Sequence, residues 1–177
     1  MRFSDETDAL LWGVYDEQGN FQRQGYVPIQ PVAQTTQTIQ IYSGESSYDS
    51  HFAATGVTFV FSAGDSGNQS YPAESPRVVS VGGTTLSHDA NYNWSSEKGW
   101  KSGGGGVSSY EAVPSYQSGL GYAHRANPDI AYDGDPNSGF AVYDSYGGYG
   151  WGQYGGTSAG APAWAGLAAR INQLLGR

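Results

Sequence analysis

Cysteine is absent from the 177 residues, which excludes disulfide bonds and thiolate metal sites within the chain. Basic residues are scarce, since 8 Lys and Arg stand against 16 Asp and Glu and give a net charge of −8. Nucleic acids and anionic membranes bind to basic surfaces, so neither is expected as a partner. No apolar run approaches the roughly 18 residues of a membrane span. Residues 1–6 lack the apolar core of a signal peptide, so an exported protein would need a signal outside this chain.

The acidic balance has two interpretations. An excess of carboxylates keeps a protein soluble, which is its generic benefit. It also suits a protein built for acidic surroundings, because a chain with few bases has few ion pairs to lose when carboxylates take up protons. The composition alone leaves both interpretations open.

Glycine and aromatic residues are abundant, at 27 glycines and 14% aromatic, and this favours strands joined by tight turns. An unbroken β-branched and aromatic run predicts a buried parallel strand at 57–61. A second buried strand is predicted at 77–81 and a third strand at 140–143. From Trp164 to Leu175, apolar residues recur at helical spacing and predict an amphipathic helix that packs on a sheet. One or two helical turns are expected at 48–54, and a loop at 146–156.

The first 43 residues are harder to place. Residues 5–17 are predicted to form a short helix, because Ser4 can cap it, acids crowd its first turn and apolar residues recur at helical spacing. Residues 21–42 are rich in Gln and Thr, and only 38–42 alternate as a strand does.

The segment from Gly155 to Pro162, Gly-Gly-Thr-Ser-Ala-Gly-Ala-Pro, leads directly into the final predicted helix. Ser158 therefore lies at a helix N-terminus, where free amides and the helix dipole favour developing negative charge and small neighbours let a substrate approach. That is good placement for a nucleophilic serine. The alternative is an ordinary serine N-cap.

Several motifs in series resemble those of the sedolisins, the serine-carboxyl peptidases with a subtilisin-like fold. Gly-Thr-Ser before a small residue, Pro and a helix resembles their nucleophile motif, and Asp65, in Phe-Ser-Ala-Gly-Asp-Ser-Gly, stands where subtilisins proper have Asn. The other matching segments are 71–76, 79–86, 104–108 and 127–130, in the same order. The resemblance covers about three-quarters of the chain, from Gly44 onward. It implies an α/β fold with a subtilisin-like parallel sheet flanked by helices, here partial.

The chemistry that the resemblance implies is proteolysis at acidic pH. Ser158 would be the nucleophile and Asp65 the oxyanion residue, which must be protonated to donate a hydrogen bond. A Glu supported by an Asp would replace histidine as general base. The resemblance further implies a polypeptide substrate, a propeptide, an extracellular location, and calcium bound through ligands that would lie beyond Arg177.

The general base itself cannot be assigned from the sequence. The family carries its Glu and Asp four residues apart on one helix, and Glu45 and Asp49 have this spacing. They follow the position of the family's substrate-lining strand, however, so the catalytic roles are not carried onto them. The chain is therefore interpreted as a single partial peptidase domain, with a poorly matched stretch at 1–43 and a sedolisin-like part at 44–177, and it is expected to be inactive alone. Substrate-binding residues remain unassigned.

Three further features of the sequence support weaker hypotheses. Residues 133–144 resemble a calcium loop, but Ser138 stands where the sharp turn needs Gly, so a turn without metal is preferred. His51, His88 and His124 lie outside any subtilisin-like His-Gly motif, which makes a Ser-His-Asp triad the weaker hypothesis. The aromatic residues at 146, 149, 151 and 154 lie close to Ser158 and would form either loop packing or the wall of a binding cleft. The alternative function is accordingly a non-catalytic pseudo-peptidase or an aromatic-rich carbohydrate-binding module.

Overall fold

The computed structural model describes residues 2–4, 7–15, 21–28 and 44–176. The chain divides into two compact units, Met1–Thr38 and Ile39–Arg177. The first contains an antiparallel sheet with strand order β1-β2-β3. Its strands are β1 (Arg2–Ser4), β2 (Thr7–Tyr15) and β3 (Phe21–Pro28). The assignment of residues 1–177 to a single partial domain stays a prediction.

The helix predicted at 5–17 is wrong, because Thr7–Tyr15 forms strand β2. A short apolar segment can fit either the helical or the strand period, and its local pattern does not decide between them. Gly13 disfavours a helix interior, while Trp12 and Val14 favour strands. Backbone pairing of β2 with β3 resolves the ambiguity, and local periodicity cannot reveal that pairing. The strand predicted at 38–42 lies outside the described residues.

The second unit contains eight strands and one α-helix among the described residues. In chain order these are β4 (Val60–Ser62), β5 (Val79–His88), β6 (Trp94–Gly99), β7 (Gly106–Ala112), β8 (His124–Asn127), β9 (Ile130–Asp133), β10 (Phe140–Asp144), β11 (Gly150–Tyr154) and α1 (Thr157–Leu174). Short 3-10 helices occupy Glu45–Phe52, Ser115–Leu120 and Tyr146–Gly148.

The central sheet places β5 between two parallel partners, β4 and β9, and its second half also pairs antiparallel with β6. The parallel α/β sheet that the sequence predicts is thereby confirmed. The apolar runs at 57–61 and 77–81 do form its strands, although the ordered pairing begins at Val60 and Val79. Parallel strands end at one edge of a sheet, so β4 and β9 deliver their following turns to the same side.

Two small antiparallel pairs accompany this sheet. Strand β7 pairs with β8, and β10 pairs with β11. The strand predicted at 140–143 is confirmed as β10. Its partner β11 lies in the segment expected to be a loop, where glycine obscured the strand pattern but residues 150–154 pair with β10 in register.

Helix α1 packs on the central sheet through its N-terminal half. Gly160 lies so close to Val81 and Tyr132 that an added Cβ would come within 3.0 Å of both side chains. Further along, the Trp164 indole donates a 3.0 Å hydrogen bond to the Ala131 carbonyl. The last turns are more open, and Leu174 is 73% exposed. No helix in the described part of the chain is both long and apolar enough to cross a membrane.

Candidate active site

Ser158 is the second residue of α1 and its side chain is exposed to solvent. The helix cap is Gly156, whose φ of 105° suits glycine, and no side chain caps the helix. Ser158 is therefore not the N-cap that the structural alternative required. The first-turn amides of a helix have no partner within the helix and carry its positive dipole end, so the Ser158 hydroxyl lies in a locally electropositive setting.

Asp65 follows β4 and reaches the start of α1. Its Oδ1 accepts two hydrogen bonds from Thr157, one from the backbone N–H at 2.7 Å and one from the hydroxyl at 2.8 Å. These contacts join residues 92 positions apart, so Asp65 is not a turn residue that bonds only its own loop. The structure thus brings Asp65 to the predicted nucleophile, as the resemblance requires.

Gly156 separates Asp65 from Ser158. A Cβ at this position would lie 2.9 Å from Asp65 Oδ2 and 3.2 Å from Ser158 Oγ. The second carboxyl oxygen of Asp65 and the Ser158 hydroxyl therefore both border the position that a side chain at residue 156 would occupy. Glycine at this position lets the two groups approach each other.

Thr157 is a site residue that the sequence analysis did not identify. Its side chain is 1% exposed, and its hydroxyl accepts a 3.0 Å hydrogen bond from the Gly64 N–H. Thr157 thereby ties the turn after β4 to the start of α1. Its position next to Ser158 was the only signal in the sequence, and that signal does not reveal its partner.

Glycines let the supporting loops approach the site closely. Gly104 donates its N–H to the Gly64 carbonyl at 2.7 Å, and a Cβ at Gly104 would lie only 2.0 Å from the Ala63 carbonyl oxygen. On the other side, the Gly156 N–H donates to the Gly134 carbonyl at 2.6 Å. The glycine motif that resembled the sedolisins thus supports the turn that carries Asp65.

In the segment that resembled a calcium loop, the acidic side chains accept hydrogen bonds from neighbouring protein groups. Asp135 Oδ1 accepts hydrogen bonds from the backbone and side chain of Asn137, and Oδ2 accepts one from Thr85. These bonds, the backbone bond from Asn137 foremost, lower the pKa of the Asp135 carboxyl. The Asp133 carboxylate accepts from Ser138. Among the described residues, no group of three or more His, Cys, Asp or Glu could hold a metal ion.

Glu45 and Asp49 lie in the 3-10 helix at 45–52, and the hydrogen bonds of Asp49 are to residues other than Ser158 and Asp65. Asp49 Oδ1 accepts from the Ser75 hydroxyl at 2.6 Å and the Tyr71 hydroxyl at 3.2 Å. Within the described residues, none of their hydrogen bonds involves Ser158 or Asp65. Their spacing therefore reflects another role, and the general base stays unassigned.

The histidines also make contacts away from Ser158. His51 stacks on Tyr48, and His88 lies 4.9 Å from the Tyr92 ring. His124 Nδ1 lies 3.3 Å from the Glu111 carbonyl oxygen. None of these contacts supports a Ser-His-Asp arrangement.

Comparison with known proteins agrees with this geometry. The model of the subtilase family, Peptidase S8, matches residues 19–176. The chain belongs to the subtilase family. Its relatives include sedolisin from Pseudomonas sp. (strain 101), 37% identical over 67% of this chain and 24% of the relative. Kumamolisin from Bacillus sp. (strain MN-32) is 37% identical over 71% of this chain and 26% of the relative.

A solved structure shows the same relationship. Pseudomonas sedolisin, a serine-carboxyl proteinase complexed with two molecules of pseudo-iodotyrostatin, superposes with a TM-score of 0.65 at 34% identity. The match covers 72% of this chain and 42% of that chain. The resemblance to the sedolisins and the subtilisin-like α/β fold are thus confirmed. The chain spans about a quarter of the length of the two curated relatives described above.

Proposed function

We propose that Ser158 and Asp65 form the nucleophile and oxyanion groups of a serine-carboxyl peptidase that cleaves polypeptides in acid. The observation that carries this proposal is the pairing of Asp65 with the first turn of α1, beside the exposed Ser158. Ser158 Oγ would attack the scissile carbonyl and form an acyl-enzyme. The Ser158 N–H and the Asp65 carboxyl would then stabilise the tetrahedral intermediate.

The hydrogen bonds of Thr157 indicate which oxygen of Asp65 carries the proton. The Thr157 hydroxyl accepts from Gly64 N–H, so its own proton is available for Asp65 Oδ1. Since Oδ1 also accepts the Thr157 N–H, it has two donors and no need of a proton. A protonated Asp65 would therefore carry its proton on Oδ2, the oxygen beside Ser158. A carboxyl group donates only when protonated, which links the proposed activity to acidic solution.

The remaining parts of the proposal follow from the family. The proton of Ser158 would pass to the Glu of a Glu–Asp pair, which is not assigned to any described residue. Polypeptide would be the substrate, the location would be extracellular, and a propeptide and a structural calcium would belong to the complete peptidase. None of the steps assigned to Ser158, Asp65 or Thr157 passes through calcium.

The test is cleavage of a denatured protein at about pH 4, the region where carboxylates begin to share protons. Cleavage by the chain that disappears in Ser158→Ala would support the proposal and place the general base within these 177 residues. If the folded chain does not cleave, it is joined to an upstream segment that carries the helical Glu–Asp pair implied by the family resemblance. A folded chimera that stays inactive, or that cleaves equally well as Ser158→Ala, contradicts the proposal.

A second candidate function is carbohydrate binding at a cleft between β5 and the β10–β11 hairpin. The cleft has a volume of about 670 Å³ and polar lining groups that include Asn137 and Gln153. Tyr92 in its wall is 82% exposed, and Trp151, on the same hairpin face as Gln153, is 73% exposed. Exposed aromatic faces beside amide groups suit sugar rings. Quenching of tryptophan fluorescence by soluble oligosaccharides, lost in Trp151→Ala, would support this candidate.

A further inference from the structure

Four acidic side chains from three separate segments meet beneath the 3-10 helix at 45–52. They are Glu45, Asp49, Glu74 and Glu111, here called the carboxyl cluster. Three are almost completely buried, with Glu45 4%, Glu74 1% and Glu111 1% exposed. Glutamate is almost never fully buried unless it is paired with a base. The cluster therefore needs a physical explanation.

No base compensates the carboxyl cluster among the residues that the structure describes. The ion pair found in this part of the chain, Arg125 with Asp129, is a separate one. His51 stacks on Tyr48, and His124 approaches the Glu111 backbone carbonyl and not its carboxyl group. The hydroxyls of Tyr71 and Ser75 contact the cluster, and both donate to Asp49.

As carboxylates, the buried members would lack hydrogen-bond donors. Within the described residues, both side-chain oxygens of Glu45 and of Glu74, and Oε1 of Glu111, are buried without a donor. Glu74 is close enough to Glu45, and Asp49 to Glu111, to raise the pKa of these two buried carboxyls. Two carboxyl groups hydrogen-bond only when one of them holds a proton. Burial without donors, next to other carboxyl groups, thus favours the protonated form of these side chains over the ionised form.

We propose that the carboxyl cluster holds protons in the folded chain, so that the fold is stabilised in acid and weakened as the pH rises towards neutral. The carboxyl cluster is connected to the central sheet through the 3-10 helix at 45–52. Phe52 of this helix packs edge-on against Phe61 of β4, with 5.3 Å between the ring centres. Strand β4 leads into the turn that carries Asp65. Loss of the cluster would therefore loosen the segment that supports the candidate site.

The direction of the effect follows from linkage. Burial, and then the neighbouring carboxyls, raise the pKa of Glu45 and of Glu111 from 4.5 to about 7. Between these two values the folded chain binds more protons than the unfolded chain, so its stability falls as the pH rises through this window. Below about pH 4.5 both states are protonated and the full stability is present. Above about pH 7 both glutamates are ionised in the folded chain, and the loss of stability is complete.

The experiment compares thermal unfolding of the chain at pH 5 and pH 8. We expect the melting temperature to fall by about 5 °C or more between them, given the size of such shifts and the sensitivity of a domain of this length. In the double variant Glu45→Gln/Glu111→Gln, neutral side chains of the same shape replace the titrating ones, so this difference should shrink by at least half. The matched control, Glu97→Gln, replaces an exposed carboxylate on β6 and should leave the difference unchanged.

A second measurement on the unaltered chain does not depend on how the variants fold. Unfolding by urea at pH 6 in weak buffer should release about one proton or more, since the unfolded glutamates ionise. No release, or proton uptake, would overturn the proposal, as would equal or greater stability at pH 8 or no cooperative unfolding at pH 5. These stability readouts involve neither Ser158 nor cleavage, so the peptidase proposal and this one can fail separately.

Discussion

Thr157 donates two hydrogen bonds to one oxygen of Asp65, with its N–H at 2.7 Å and its hydroxyl at 2.8 Å from Oδ1. The two donors distinguish the oxygens of a carboxyl group that would otherwise be interchangeable. Oδ2 is left facing Gly156, next to Ser158. The predictions on Thr157 and Asp65 below depend on this asymmetry, and they are measured on whichever form cleaves peptide, the chain or the chimera.

Replacement of Thr157 by valine keeps the buried shape and removes the hydroxyl. Asp65 then loses one of the two bonds that orient it, and Gly64 N–H loses its acceptor. We expect kcat to fall about tenfold, the size of one charge-assisted or buried hydrogen bond, with KM little changed. Thr157→Ser restores the hydroxyl and should recover most of kcat. Full kcat in the valine variant beside a loss in the serine variant would show that Thr157 acts only through packing.

Replacement of Asp65 by asparagine tests which side-chain atom at position 65 faces Ser158. The two Thr157 donors should hold the amide oxygen, which turns the amide NH2 towards Ser158. Asn donates whether or not the solution is acidic, so cleavage in Asp65→Asn should extend towards neutral pH relative to the parent. The pH dependence of kcat checks this, with Asp65→Ala as the inactive comparison. An unchanged pH profile would exclude Asp65 as the group that must be protonated.

Gly104 should tolerate no side chain. A Cβ there would lie 2.0 Å from the Ala63 carbonyl oxygen and 2.7 Å from the Asn68 carbonyl oxygen, and backbone atoms cannot rotate away. Gly104→Ala should therefore cost at least about 1–3 kcal/mol, as overpacking does, and displace the turn that carries Asp65. Urea unfolding measures the cost. Gly99→Ala is the matched control, because no atom lies within 4 Å of its added Cβ.

The ion pair between the buried Arg125 and the partly exposed Asp129 should be sensitive to removal of one partner. Arg125 is 0% exposed and makes two bonds of 2.7 and 2.6 Å to Asp129, which also accepts the Ser80 N–H. Arg125→Met removes two hydrogen bonds to the Asp129 carboxylate, which stays partly solvated, and should cost about 1–3 kcal/mol in urea unfolding. In Arg125→Met/Asp129→Asn no charge is left behind, so part of this loss should be recovered. A single variant as stable as the parent would show that solvent screens the pair.

Much of the central architecture could be predicted from the sequence. The runs at 57–61 and 77–81 predicted strands of the parallel sheet, and the helical spacing of apolar residues from Trp164 to Leu175 predicted α1. The resemblance motifs lie in the turns between these elements. The prediction of a helix at 5–17 was wrong because a short apolar pattern fits both the helical and the strand period. Pairing of Thr7–Tyr15 with β3 makes this segment a strand.

By itself the sequence determined that Ser158 lies at the start of a helix and that Asp65 lies in the turn after a strand, since both facts depend on neighbours in the chain. Only the tertiary structure decided that Thr157 joins them across 92 residues, and that Glu45, Glu74 and Glu111 are buried together. Hydrogen bonds and burial are properties of groups that are close in space. A linear pattern records which groups are available, and folding decides which of them meet.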